Sequence, residues 1–426
     1  MKIDLIKLEN EGDIAVTGEK VELPIHVPNL ANNLLDVYNI PLKYLYYNNE
    51  NGRISTQVIQ GSGDDSLTAP QDLIDKDKYN EKIAQFIRED NPKALKDTKK
   101  SIKRKGQQVY GYVLSDGRII DGNRRFTALR ELEEETQITQ VFKAVVLPFD
   151  YQAKAHRTQI KKLELAIQMG LEERLPYDPI DLALDIYRTV EIDETMTEKE
   201  YSLEANMKVK EVKTKIETIK LIHNFLLFIN APKDAYHIIK GIKLYLPIEE
   251  LAKKLNKSFP DKGPKYEQTK ITAFTMLSKF VAVGGDTVRD MREYSNKIMK
   301  SPVNDPFNEA MEDTIDDFRD RLEEEPTVSA GQFKQKLDKC TDEIRGVTEE
   351  YTKTILKLNR GENVENFMKE IQNIQEVLAD MEHNGGLTGR LKYSDFSASQ
   401  LKTIHDQLIK IQLSSRQLIG VFDDEF

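Results

Sequence analysis

The chain has 426 residues, of which 39% are hydrophobic and 31% are charged, and its net charge at pH 7 is −10. This length predicts two or three domains. The acidic balance excludes a protein that coats nucleic acid through bulk positive charge, so any contact with DNA must come from local basic segments. A single cysteine, Cys340, excludes a disulfide framework and a cysteine-based zinc site. No apolar run approaches the ~20 residues that span a bilayer, so we expect a cytoplasmic protein without a membrane segment.

The first predicted elements are an edge strand at residues 21–25, a strand at 44–47 with a polar turn after it, and a helical region at 78–106. Asn91-Pro92 divides that region into two helices. The second helix carries seven basic residues and one acid, and its candidate phosphate contacts are Lys99, Lys100 and Lys103. Its basic face is open to two interpretations, a solvated surface or a contact with the phosphates of a nucleotide or DNA.

Residues 112–114 and 118–120 are short β-prone runs on either side of Ser115-Asp116-Gly117, which predicts a hairpin. The second strand stops at Asp121-Gly122, and helical periodicity follows from 124 to 135. A glycine turn at the start of a helix presents backbone N–H groups and the positive end of the helix dipole. Two arginines in the first turn increase the positive potential. The segment is therefore either a phosphate-binding turn or a plain strand-turn-helix connection with solvated arginines.

A strand is predicted at 141–147 and a helical pattern at 153–190, before a helix-turn-helix-like segment at 196–222. Thr197 and Glu200 form the pattern of a capping box, and Leu203 is expected to face inward. The lysines expected to project outward, as DNA contacts, are Lys208, Lys210, Lys213 and Lys215. Lysines contact phosphates and discriminate bases poorly, so the segment is either a binder of nucleic-acid backbone or a helical scaffold.

Residues 309–325 hold nine acids and two arginines, which predicts a solvated acidic helix or an acidic linker at 306–330, after a helical domain at 153–305. Heptad spacing then runs through 331–426 and predicts a C-terminal helical hairpin or coiled coil. Its apolar stripes are interpreted either as the core of that domain or as a surface for a protein partner.

The run Asp-Gly-Asn-Arg-Arg-Phe-Thr-Ala-Leu resembles the nucleotide box of the ParB/sulfiredoxin superfamily, Gly-x-x-Arg-x-x-Ala, with Gly122, Arg125 and Ala128 at its fixed positions. Upstream blocks at 40–53 and 95–106 are similar to the same family. The resemblance implies an α+β N-terminal domain at 1–152, a small mixed sheet with helices, followed by a mostly α-helical middle and C-terminal region. The family pattern has no counterpart for residues of about 56–93, which are therefore expected to be an insertion.

The resemblance also implies a bound nucleoside triphosphate, CTP or ATP. The residues implied to bind it are Gly122, Asn123, Arg124, Arg125, Thr127, Ala128, Arg174 and Arg53. The family's magnesium ligands fall on Gly170 and Leu171, whose side chains cannot hold a metal, which leaves Glu172 and Glu173 as alternatives. We therefore expect weak dependence on Mg²⁺ and slow or absent hydrolysis of CTP.

Three functions remain open from the sequence. The first is a ParB-like, DNA-associated homodimer in which the nucleotide acts as a conformational switch. The second is an NTPase or nuclease-like component of a phage-defence or restriction system, with Asp121 as a candidate catalytic carboxylate. The third is a structural adaptor that has lost its ligand. Sulfiredoxin chemistry is excluded because the box has no cysteine, and the composition fits a low-GC bacterium or its phage.

Overall fold

A computed structural model of the chain describes residues 3–25, 33–50, 54–60, 67–70, 76–169, 178–360, 364–383 and 395–423. It divides into two compact units, Met1–Tyr351 and Thr352–Phe426. An N-terminal mixed sheet is followed by helices, which confirms the predicted fold class.

The strands are β1 Ala15–Glu22, β2 Leu34–Pro41, β3 Tyr46–Tyr47, β4 Gly111–Leu114, β5 Arg118–Asp121 and β6 Val141–Leu147. Their order in the sheet is β1-β2-β6-β4-β5-β3. The pairs β3/β5 and β4/β6 are parallel, whereas β1/β2, β2/β6 and β4/β5 are antiparallel. The hairpin predicted between β4 and β5 is present, and Gly117 adopts the positive φ of 87° that its turn requires.

The helices of the first unit are α1 Leu5–Asn10, α2 Ser55–Gln60, α3 Lys76–Asp90, α4 Pro92–Lys105, α5 Asn123–Thr136, α6 Lys154–Met169, α7 Pro179–Tyr187, α8 Glu198–Glu204, α9 Val209–Phe228, α10 Tyr236–Gly241, α11 Tyr245–Ser258, α12 Pro264–Val283, α13 Thr287–Tyr294, α14 Asn304–Glu323, α15 Ala330–Lys339 and the start of α16 Thr341–Arg360. A π-helical turn, Arg188–Ile192, extends α7. The second unit contains α17 Val364–His383 and α18 Ala398–Asp423. No helix within the described ranges is long and apolar enough to cross a membrane.

The sheet has an apolar core on each face. On one face, α3, α4 and α5 pack around Phe126, whose ring meets Tyr47 and Phe142 edge-on at centroid distances of 4.9 and 5.9 Å. On the other face, α6 buries Ile160 and Leu163 against the sheet. Alternating side chains of the central strands point to opposite faces, so both faces need a cover of helices.

Two predicted boundaries differ from the structure. The stretch predicted as a solvated acidic helix or linker contains α14, which buries Phe307, Met311 and Phe318 at helical spacing inside the first unit and does not mark a domain boundary. The acids lie on the opposite face of α14, so the helix is amphipathic. The high local charge of this stretch made its apolar face difficult to recognise in the sequence. Similarly, α3 falls within the predicted insertion but contributes Tyr79 and Ile83 to the core of the sheet.

The predicted C-terminal domain also begins later than expected. Its first heptads, with the fully buried Phe333 and the buried Cys340, belong to the first unit. The second unit keeps the heptads of α17 and α18. Ring contact between Phe367 and Phe422, with centroids 5.9 Å apart, joins the start of α17 to the end of α18, as in an antiparallel hairpin.

Candidate functional site

The candidate site begins where β5 turns into α5. Gly122 is the N-cap of α5 and has φ of 109°, a conformation that favours glycine. A Cβ at this position would lie 2.7 Å from the Phe142 ring. The turn therefore depends on glycine for its backbone conformation and for its close approach to the core.

The N-terminus of α5 has no side-chain cap. Gly122 offers no capping oxygen, and the first turn contains no acidic residue. The first N–H groups of a helix have no acceptor inside the helix, and they lie at the positive end of its dipole. This terminus therefore combines the two properties by which helices bind phosphate groups.

Asn123, the first residue of α5, is only 7% exposed, and neither its Nδ2 nor its Oδ1 has a hydrogen-bond partner among the described residues. A buried amide without partners costs about 1–3 kcal/mol. Unsatisfied polar groups of this kind are expected at sites that bind a ligand, because the ligand supplies the missing partners. Asn123 is the observation in the described structure that most directly indicates a ligand at this turn.

Arg125 is bound by the protein itself. Its Nη1 donates to the carbonyl oxygens of Val109 and Tyr110, each at 2.6 Å, and its Nη2 lies 2.7 Å from the carboxylate of Asp121. Both charged side chains are less than one-fifth exposed. This arrangement favours a structural role for Arg125, which holds the turn to the strand β4. It also places the candidate catalytic carboxylate of Asp121 in an ion pair.

Thr127 and Ala128 are fully buried. The Thr127 hydroxyl donates to the Asn123 carbonyl at 2.9 Å and lies 2.8 Å from the Tyr47 hydroxyl. Thr127 thus links the first turn of α5 to β3, whereas Ala128 fills space in the core. Thr127 and Ala128 therefore hold the turn in place. Contacts of the turn with a ligand must come from other residues.

A polar cluster that the sequence analysis missed lies near the same edge of the sheet. The strands β3 and β5 are parallel, so the residues that follow them lie at the same end of the sheet. Asn48 follows β3 and Gly122 follows β5, which places both residues at this edge. Asn48 accepts a hydrogen bond from Arg118 at 3.3 Å and donates to Glu164 of α6 at 3.5 Å. The other charged members of the cluster are Glu50, Arg157, Lys161, Asp185, Arg188 and Asp193. No motif in the sequence predicts it, because its members come from four separate segments.

Six charged residues of this cluster form ion pairs with one another in a crowded space. Lys161 bonds both Glu164 and Asp185, and Arg188 bonds both Glu50 and Asp193. Burial raises the pKa of Glu164 to about 7, with Lys161 opposing the shift and Asp185 adding to it. A cavity of about 50 Å³ lies between these side chains. It is far smaller than the roughly 300 Å³ of the smallest ligand pockets, so the cluster in this conformation accommodates a few water molecules and not a nucleotide.

A metal site is not formed by the side chains that the structure places. Within the described ranges, no group of three or more His, Cys, Asp or Glu residues is arranged to hold a metal ion. The candidate ligands Glu172 and Glu173 lie outside those ranges, as do the candidate phosphate contacts Arg53 and Arg174. Their roles stay predictions.

Comparisons with known proteins give distant likenesses to solved structures only. No protein-family model matches the chain, and no curated protein matches it. Among solved structures, it is similar to the C-terminally truncated chromosome-partitioning protein ParB from Caulobacter crescentus, crystallised with CTP-γ-S. The identity is 15%, the match covers 51% of this chain and 97% of that one, and the TM-score is 0.17. A likeness at this TM-score does not indicate what the site binds.

The helix-turn-helix-like segment contains α8 and α9, with the predicted capping box between Thr197 and Glu200. Leu203, expected to face inward, is 71% exposed, because α8 ends at Glu204 and buries Tyr201 and Ser202 instead. Within α9, Val212 and Ile216 are buried as predicted.

The candidate DNA-binding lysines differ in how far the protein neutralises them. In α9, Lys215 lies 3.4 Å from Glu249 and only 15% of its side chain is exposed, while Lys213 lies 3.3 Å from Glu198. Lys208 and Lys210 are exposed at its start. In α4, Lys99 binds Glu131 and Glu135, each at 2.8 Å. The exposed cations of α4 are Lys93, Lys96, Lys100, Lys103, Arg104 and Lys105.

Proposed function

We propose that this chain binds a nucleotide through its phosphates at the N-terminus of α5. The observation that carries the proposal is the buried, unpartnered amide of Asn123 at a helix terminus that has no side-chain cap. The resemblance of the box to that of the ParB/sulfiredoxin superfamily supports a nucleoside triphosphate, CTP or ATP, as the ligand.

Each residue of the turn then has a distinct role. Gly122 allows the backbone conformation of the turn and its close approach to the core, and the first N–H groups of α5 donate to phosphate oxygens. Asn123 donates through Nδ2, and Arg124 adds positive charge beside it. Arg125 is a positioning residue, because its guanidinium holds the turn to the carbonyls of Val109 and Tyr110.

The edge of the sheet that carries the turn also carries the polar cluster of α6 and α7. A ligand at α5 would add negative charge near Asn48 and Glu164, whose carboxyl already has a raised pKa. We propose that this proximity makes the nucleotide a conformational switch, since a changed charge at this edge alters the balance of the pairs that join α6 to α7.

The proposed association with DNA rests on α4 more than on α9. Six cations of α4 are exposed, whereas two of the four candidate lysines of α9 are held by carboxylates of the same chain. Cations already paired within a protein release fewer counterions from DNA, so they contribute less to affinity. The expected contact is with the phosphate backbone and has little sequence preference.

Isothermal titration calorimetry with CTP and ATP, each with and without Mg²⁺, tests the nucleotide proposal. We expect wild type to bind at least one of them and Asn123→Asp to weaken binding by about 10-fold or more, because a carboxylate would face the phosphates. Asn224→Asp is the matched control, since it adds the same charge at an exposed position of α9. Equal affinities for wild type and Asn123→Asp would refute the site.

Asn123→Leu separates a binding role from a structural one. Leucine has the same number and branching of side-chain heavy atoms as asparagine and removes both unpartnered polar atoms. We expect the free protein to become more stable, by about 1–3 kcal/mol, while nucleotide affinity falls. A loss of both stability and binding would indicate that Asn123 serves the fold. If wild type binds neither nucleotide, the structural-adaptor alternative replaces this proposal.

A further inference from the structure

The hairpin of α17 and α18 leaves an extended apolar surface uncovered. Ile371, Ile374 and Leu378 of α17 and Leu408, Ile411 and Leu418 of α18 are between 36% and 51% exposed, although they occupy the heptad positions at which the two helices would meet. All of them except Leu408 line a groove with a volume of about 1670 Å³. Pairing of two helices alone therefore does not bury the heptad residues of this unit.

The apolar face of α17 is also wider than a two-helix seam. At 100° per residue, the heptad positions together with Met368 and Val377, which are 63% and 55% exposed, cover an arc of about 180°. A two-stranded seam needs only the a and d positions, whereas helices of a four-helix bundle carry a broader apolar stripe. The apolar pattern of this hairpin is therefore the pattern expected for two helices of a four-helix bundle.

We infer that a second copy of this chain covers the groove, so that two hairpins form a four-helix bundle. The charges of the two helices are complementary, with five acids against one lysine in α17 and three basic residues against two acids in α18. In a two-fold arrangement, α17 of each copy can lie against α18 of the other, acidic helix against basic helix. Pairing α17 with α17 would bring like charges together.

The size of the surface agrees with a dimer. Sixteen large apolar side chains of α17 and α18 are at least 36% exposed, which amounts to on the order of 1,000 Å² per hairpin. A standard interface buries about 800 Å² per partner, and the largest apolar patch of an ordinary monomer is about 300–600 Å². The surface is thus large enough for stable association and too large for a monomer in water.

Ile409 and Ile411 provide a matched pair of variants, because both are 42% exposed on α18 but only Ile411 lines the groove. Sedimentation velocity of the full chain at about 50 µM, a concentration above micromolar dissociation constants, should show a dimer for wild type and for Ile409→Glu. Ile411→Glu should raise the dissociation constant by about 10-fold or more. Circular dichroism checks that each variant keeps its helical content.

Three results would overturn the inference. They are a monomeric wild type at this concentration, a dimer that Ile411→Glu leaves intact, and a dimer that both variants weaken equally. The first would mean that another part of the chain or another protein covers the groove. The second would place the dimer contact in the first unit, and the third would reflect a general loss of helix stability and not a specific contact.

Discussion

Arg125 donates to two backbone carbonyls and to the carboxylate of Asp121 inside the protein. Arginine can hold all three acceptors at once because its guanidinium presents five donors in a fixed plane. Since the side chain is 17% exposed, its removal leaves the Asp121 charge and two carbonyls poorly solvated.

Arg125→Ala should lower the free energy of unfolding by about 3 kcal/mol, as expected when one partner of a largely buried ion pair is removed. Urea unfolding followed by circular dichroism measures the change. Arg104→Ala is the control, because Arg104 is exposed on α4 and its loss should cost less than about 0.5 kcal/mol. Unchanged stability of Arg125→Ala, with lost nucleotide binding, would return Arg125 to the role of a phosphate ligand.

Glu164 is a second residue whose role is decided by its surroundings. Burial raises the pKa of Glu164 to about 7, so the folded protein holds this proton more tightly than the unfolded chain does. The protonated Glu164 therefore contributes fully to the free energy of unfolding below its pKa in the unfolded chain, roughly 4.5. This contribution of Glu164 is lost as the pH rises toward 7. Glu164→Gln removes the charge, so its stability relative to wild type should increase from pH 5 to pH 8, by on the order of 2 kcal/mol.

Thermal unfolding of wild type and Glu164→Gln between pH 5 and pH 8 tests this prediction. Glu131→Gln is the control, because the contribution of Glu131 to stability should change with pH in the opposite direction. Burial alone would raise the pKa of Glu131, but its bonds to Lys99 and Arg88 hold it below the usual range. That carboxylate therefore stabilises the fold at neutral pH and loses its contribution as the pH falls through its folded pKa. Parallel stability profiles for wild type and Glu164→Gln would show that the buried carboxyl titrates normally.

At the scale of elements, α4 carries six lysines and α9 carries four, and the two helices differ in how many of these lysines form ion pairs within the chain. We expect Lys100→Ala, Lys103→Ala and Arg104→Ala together to reduce the slope of log affinity against log salt by about 0.9 per lost phosphate contact. The triple change at Lys210, Lys213 and Lys215 should reduce it less, because Lys213 and Lys215 are paired with Glu198 and Glu249.

Fluorescence anisotropy with a labelled DNA duplex at two salt concentrations measures both slopes. A larger loss for the α9 variant would favour recognition through the helix-turn-helix-like segment. Tight binding restricted to one duplex sequence would require base-reading residues outside both helices. No binding by wild type at low salt would leave both basic segments as solvated surfaces.

At the scale of the whole molecule, Cys340 reports the opening of the first unit. It is the only cysteine of the chain and is 1% exposed, and burial raises its pKa to about 11. Both its burial and its protonated state slow thiol chemistry. Labelling with a thiol reagent at pH 8 should therefore be at least about 100-fold slower in buffer than in denaturing urea. Rapid labelling in buffer would mean that the packing of α15 and α16 around Cys340 opens locally.

Much of the local structure was predictable from the sequence. The β4–β5 hairpin, the Gly122 turn, the start of α5 and the Thr197 capping box each depend on residues within a few positions of one another. Their signals are conformational preferences of glycine and of capping side chains, which act over one turn of chain. The fold class was implied by the resemblance of the box to that of the ParB/sulfiredoxin superfamily, and it is confirmed.

The tertiary structure alone decided which charged residues are committed to partners. Arg125 binds carbonyls of Val109 and Tyr110, and backbone carbonyls leave no signature in a sequence. Lys215 meets Glu249 from another helix, and a paired lysine looks the same in sequence as a solvated one. The unpartnered state of Asn123 likewise depends on what packs around it. Interactions between distant segments are set by the packing of the fold, which is why the sequence located the turn but could not assign its ligand-binding and structural residues.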